Sequence, residues 1–172
     1  MTEKETIQHI ITTRKFPRTF DDYANYIFLV GPIAFVAIGF SMIYNYIKFH
    51  TGLLILTISI LFIFLGLLFA FFVLTRLNDN ITFKSISAIT DDNMDNIAER
   101  LNQKFNLRRI DVNKELNSIV AFTKITAFSW GERLTLVFDK DCILVNSRPS
   151  GSTQPLTFIK DRQNIKKLEQ IL

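Results

Sequence analysis

The chain has 172 residues, 48% of them hydrophobic, with one cysteine, two histidines and a formal net charge of +4. A single cysteine excludes an intramolecular disulfide and points to a reducing compartment. The modest charge suits a neighbour of anionic lipid and argues against a nucleic-acid polymer as partner. Mean hydropathy is +0.22, high for a soluble domain, and the length leaves room for about one domain beside a membrane part.

The N-terminal arm, 1–24, opens with Thr2 and Glu5 at the spacing of a capping box. Ile7, Ile10 and Ile11 then share one helical face, and Arg14, Lys15, Phe16, Pro17, Arg18 and Phe20 follow. Two readings stay open for this cytoplasmic arm: a helix lying in the bilayer interface, or a frayed tail.

Residues 26–47 carry no charge and are bracketed by tyrosines, Tyr23 and Tyr26 at one end and Tyr44 and Tyr46 at the other. At the helical rise they span roughly 33 Å, enough for a bilayer core. Residues 53–75 are filled by Leu, Ile, Phe and Val. Such residues favour insertion by about 0.3–0.6 kcal/mol each at the helix centre. The short link from Lys48 to Gly52 predicts an antiparallel transmembrane hairpin over 25–77. The first segment is too long for a signal-peptide core and ends in Tyr-Asn-Tyr-Ile-Lys rather than small residues. Lys4, Arg14, Lys15 and Arg18 precede the hairpin, Arg76 and Lys84 follow it, and only Lys48 lies in the turn. The positive-inside rule then places both termini in the cytoplasm, as expected for a multi-pass protein of a bacterial inner membrane.

Neither segment holds Asp, Glu, Lys, Arg or His, which argues against a transporter. Ala37 and Ser41 on the first helix, and Gly66 and Ala70 on the second, offer flat faces for close helix contact. That contact is expected either within the hairpin, through Ala37 and Ser41, or between protomers of a homo-oligomer.

Residues 81–172 read as a cytoplasmic domain of order β-α-β-β-β-β-α. Strands are expected at 81–87, 107–113, 118–126, 133–139 and 142–147, with another short one around Thr157. Thr90 or Asp91 caps a helix with Met94, Ile97, Ala98, Leu101 and Phe105 on one face, and Asn106 stops it. Asp161 caps a last helix with Ile165, Leu168 and Leu172 inward. Consecutive strands with short turns predict an antiparallel sheet with both helices on one face, an α+β fold.

The chemical inventory of this domain is narrow. Both histidines, His9 and His50, lie outside it, so neither a histidine metal site nor a histidine-based triad is expected, and no cofactor is. Cys142 reads as a small core residue. Asp91 and Asp92 read as helix caps, and Asp139 and Asp141 as turn residues. Arg108, Arg109, Lys124, Arg133 and Arg148 are candidates for a basic face on the sheet. Ser150, Gly151, Ser152 and Thr153 can expose backbone N–H groups to an anion, or serve simply as a flexible loop. Trp130 is expected to plug the core or the lipid boundary.

The stretch AFSWGERLTLVFDKDCILVNSRP and the Asn-containing terminal helix DRQNIKKLEQIL resemble an uncharacterised family of small bacterial membrane proteins. The shared features are a Ser-Trp-Gly-Glu turn, here Ser129–Glu132, and an Asp-x-Ile-Leu-x-Asn-Ser strand, here Asp141–Ser147. The resemblance covers about the last quarter of the chain. It implies paired membrane helices before a soluble domain, and it carries over no activity and no catalytic residue. The expectation is a non-enzymatic module, anchored in the membrane, whose cytoplasmic domain binds a partner protein or a small regulatory ligand. The alternative is an oligomeric membrane effector in stress or antiviral defence, gated by a nucleotide-like anion.

Overall fold

The computed structural model describes residues 1–50, 52–87, 93–125, 131–151 and 160–172. The expectations for Thr51, Thr90, Asp91, Asp92, Ser129, Trp130, Ser152, Thr153 and the strand around Thr157 lie outside the described residues. The chain divides into two compact units, one made of Met1–Thr19 with Asn78–Leu172 and the other of Phe20–Leu77.

The unit Phe20–Leu77 is helical. A short helix α2 (Phe20–Ala24) and a 3-10 turn (Asn25–Leu29) lead into α3 (Val30–Phe49), which ends at His50 in the left-handed region, φ 47°. The next helix, α4, runs Leu53–Ile81, and its last residues count with the other unit. Both helical stretches are long and apolar enough to cross a membrane, and little of either is buried within the chain. They differ in this from the core helices of a soluble protein and are consistent with contact with a bilayer. The second helix outruns the expected 53–75 because Val73, Leu77 and Ile81, each four residues on and all buried, carry the helical period past Arg76.

Two glycines set how α3 meets α4. A Cβ on Gly66 would fall 2.7 Å from Val36 Cγ2 and 2.9 Å from the Pro32 carbonyl oxygen. A Cβ on Gly39 would fall 2.5 Å from Ile63 Cγ1 and 2.9 Å from the Ser59 carbonyl oxygen. Gly66 of α4 thus lies against Pro32 and Val36 of α3, and Gly39 of α3 against Ser59 and Ile63 of α4. Ala37 and Ser41 are exposed, and Ala70 is half-buried. A glycine on each helix lets the backbones approach where alanine and serine would hold them apart.

The other unit is built on a five-stranded antiparallel sheet of order β1-β5-β4-β3-β2. The strands are β1 (Lys84–Ser87), β2 (Leu107–Asn113), β3 (Ser118–Thr123), β4 (Glu132–Phe138) and β5 (Cys142–Pro149). Helix α5 (Met94–Lys104) sits between β1 and β2, and α6 (Lys160–Glu169) closes the chain. The expected order β-α-β-β-β-β-α is therefore present. The first strand starts later than expected, because Ile81 still belongs to α4. Asn93 caps α5, accepting from the Asp95 N–H. Asn117 turns between β2 and β3 with φ 46°, and the Asp139 N–H donates to the Cys142 carbonyl at the next hairpin.

Period-2 alternation gives the sheet two buried faces. On one, Ile119, Ala121, Leu134, Leu136, Ile143 and Val145 pack with Ile97, Leu101 and Phe105 at α5 and Leu168 and Leu172 at α6 and the C-terminus. The other face holds Val137 and Leu144, packed with Ile10 and Phe16 from the N-terminal arm and with Ile81 and Phe83. The arm forms helix α1 (Glu3–Thr13), with the expected capping box between Thr2 and Glu5. After it, Phe16 N–H donates to the Ile81 carbonyl and Phe83 N–H to the Arg14 carbonyl, both at 2.8 Å. Helices therefore cover both faces, not one, and Met1–Thr19 groups with the sheet. The apolar face Ile7, Ile10 and Ile11 that suggests a bilayer interface lies on β-sheet residues instead. Burying Ile10, which is 1% exposed, is worth about 1.5–3 kcal/mol.

Candidate functional site

Strand register gathers the basic residues. Arg109 on β2 pairs with Phe122 on β3, Phe122 with Arg133 on β4, and Arg133 with Arg148 on β5. Directly opposed residues point the same way, so these four form one row on the face covered by α1. Phe16, following α1, lies against this row. Its ring centroid is 4.1 Å from the Arg148 guanidinium carbon and 5.9 Å from that of Arg133, within reach of cation–π attraction. Arg109 donates from Nε to Asp111 at 2.9 Å.

Between α1 and the sheet lies a groove of about 460 Å³. Arg109, Asp111, Phe122, Arg133 and Thr135 line its sheet side, and Glu3, Thr6, Ile7 and Ile10 its helix side. Two polar groups here lack a hydrogen-bond partner among the described residues: the Arg133 Nε and the Thr135 hydroxyl. Both are buried atoms, two residues apart on the same side of β4. Burial pulls the Arg133 pKa below its ordinary value, and the nearby Glu3 opposes that shift. Buried donors without acceptors are uncommon in folded proteins and mark places where something else supplies the acceptor.

Of the residues expected to bind a ligand, the fold brings together Arg109, Arg133 and Arg148. Arg108 falls at the β2 irregularity between Leu107 and Arg109, outside the paired row, and is exposed. Lys124 is exposed past the end of β3, its N–H donating to the Asn106 carbonyl. Ser150 and Gly151 follow β5 and are half-buried, with the Ser150 N–H donating to the Gly131 carbonyl at 3.0 Å. They do not line the groove. Sequence reasoning missed Thr135, which looks like an ordinary strand residue, and it missed the arm's role as the second wall. Phe16 between basic residues is the one signal for the latter.

A second polar cluster sits at one end of the opposite face. Glu132 is wholly buried, and neither carboxylate oxygen has a hydrogen-bond partner among the described residues. Its pKa is pushed up to about 7, mainly by burial and further by Asp161, with Lys160 pulling the other way. Beside it on this face, Asn164 of α6 donates from Nδ2 to the Ser147 hydroxyl at 3.1 Å. Gly131 leads into Glu132 with φ 87°, and a Cβ there would stand 2.6 Å from the Thr123 carbonyl oxygen, so only glycine fits. On the α1 face, Asn146 donates from Nδ2 to the Thr82 carbonyl at 2.8 Å and lies within 3.2 Å of that of Asn80, tying β5 to the end of α4. Glu132, Asn146 and Ser147 are polar residues inside otherwise apolar strands, the one sequence signal that points to them.

Another cavity, about 470 Å³, opens at the β1–β5 edge beside α6. Two of its cations are already paired, Arg162 with Asp79 at 3.5 Å and Lys84 with Glu169 at 2.5 Å, and the buried Asn146 Oδ1 on its wall is an acceptor, not a donor, without a partner among the described residues. The groove under α1 is the one with unmet donors, and so the stronger candidate.

A scan against protein-family models finds none that matches this chain. No curated protein and no solved structure matches it either.

Proposed function

We propose that this chain is a membrane-anchored, non-enzymatic binding module. Its two apolar helices insert as a hairpin in a bacterial cytoplasmic membrane, with both termini on the cytoplasmic side. The sheet unit binds a small regulatory ligand there, in the groove under α1. One observation carries this reading: a groove of ligand size lined by Arg133 and Thr135, each with a buried donor atom that meets no acceptor among the described residues, beside a row of three arginines. Small-molecule sites combine apolar walls with a few convergent polar groups, and this groove has both. The groups it presents are suited to holding an anion, and Asp111, the carboxylate on its sheet side, is tied to Arg109.

Anchoring is tested with Cys142 replaced by alanine and a single cysteine put at Gly52 or Ser150. An impermeant thiol reagent added to intact cells is expected to label the first and to label the second only after lysis. The opposite pattern overturns the orientation, and release of the protein by carbonate washing overturns insertion. Turnover of any compound in a metabolite panel, abolished by Arg133→Gln, overturns the non-enzymatic reading.

A further inference from the structure

We infer that the groove under α1 takes a phosphate monoester carrying an aromatic ring, of nucleoside-monophosphate size, with its phosphate between Arg133 and Thr135. This rests on the reading of the groove as a ligand site. Thr135 is only 2% exposed, and its hydroxyl meets no acceptor among the described residues. The Arg133 Nε is in the same position on the same side of the same strand. One group that satisfies both must present several acceptor oxygens in a small volume, as a phosphate does. Arg133 also loses solvation by burial, which the nearby Glu3 only partly offsets, and a bound anion adds counter-charge there.

The rest of the groove speaks to the remainder of the ligand. Phe122, half-buried, stands next to Arg133 in the paired row and lines the groove, and an aromatic side chain there can stack a flat ring. Asn113 and Ser118 add polar groups that can meet a base edge. A volume of about 460 Å³ exceeds what inorganic phosphate needs and lies in the usual range for small-ligand pockets.

Calorimetric titration of the full chain in detergent micelles tests this, with phenyl phosphate, the four common nucleoside monophosphates, adenosine and inorganic phosphate as probes. At least one ring-bearing monoester is expected to bind about tenfold or more tightly than inorganic phosphate, and than adenosine. Thr135→Val keeps the shape of the side chain and removes the hydroxyl. It is expected to weaken that monoester about tenfold, as is Arg133→Gln. Thr135→Val should not lower the melting temperature, since it removes an unmet polar group. Val120→Trp, which fills the groove, should abolish binding. If adenosine binds as tightly as its monophosphate and Val120→Trp blocks both, the phosphate assignment falls while the groove remains a ligand site. If a monoester binds but Val120→Trp leaves it bound, both the assignment and the site fall. If no probe binds, the assignment falls.

Discussion

The two faces of the sheet are covered by helices in different ways. The face under α5 and α6 is filled by Leu, Ile, Ala and Val from β3, β4 and β5, with its polar groups at one end. The face under α1 is filled where Ile10 meets Val137 and Leu144, and is grooved beside Arg133 and Thr135, whose buried donors go unmet. A packed face specifies the fold, because each missing methylene leaves a void. A partly filled face with unmet donors stores a cost that a ligand can relieve. The difference suggests which side of one sheet holds the structure together and which side is available to bind.

Core truncations on the two faces should break that comparison if it is wrong. Leu134→Ala, under α5 and α6, is expected to cost about 3–5 kcal/mol and to unfold the whole sheet unit. Ile10→Ala, under α1, is expected to cost about 2–3 kcal/mol and to free the arm while the sheet stays folded. Thermal unfolding with limited proteolysis separates the two outcomes; loss of the whole unit by Ile10→Ala would show that the α1 face is as structural as its opposite.

The buried end of the packed face gives the next largest effect, and it depends on pH. Glu132 has its pKa raised from 4.5 to about 7. Between those values the folded state keeps a proton that the unfolded state has lost, so stability falls as pH rises from 4.5 to about 7 and then levels off. The loss amounts to at most about 3 kcal/mol. Glu132→Gln removes this slope and is expected to melt higher than the parent at pH 8, with little difference at pH 4.5. A parent melting temperature that rises from pH 5 to pH 7 relative to this variant would contradict the assignment.

Smaller effects sharpen the picture at two turns. Gly131→Ala forces a side chain into a positive φ and against the Thr123 carbonyl, and is expected to cost about 1–3 kcal/mol in equilibrium unfolding. Thr2→Ala removes the capping box of α1 and is expected to cost about 1 kcal/mol. That cost should appear as faster amide exchange in Glu3–Thr13, with α5 and α6 unchanged.

The order of strands and helices was legible because periodicity is local. The α5 face, with Ile97, Leu101 and Phe105, and the α6 face, with Leu168 and Leu172, could be read from spacing alone. What covers the second face could not. Ile7, Ile10 and Ile11 make one apolar stripe, and a stripe fits a bilayer surface or a sheet equally well; only tertiary contact chooses. The site was half legible for the same reason. Arg109, Arg133 and Arg148 stand out as basic residues, but their meeting depends on strand register, and Thr135 matters only because its hydroxyl is buried without a partner. In the helical pair, small residues were visible, yet which of them meet the other helix, Gly39 against Ser59 and Ile63 and Gly66 against Pro32 and Val36, depends on helix rotation, which is set by packing that spacing does not encode.

Hydrogen–deuterium exchange on the full chain in detergent, with and without a saturating nucleoside monophosphate, most directly asks which face binds. The account predicts slowed exchange in α1 and in β3 and β4, with α5 and α6 unaffected. Protection centred on α6 and the end of β5 instead, or ligand-bound protein with no change in α1, would contradict it.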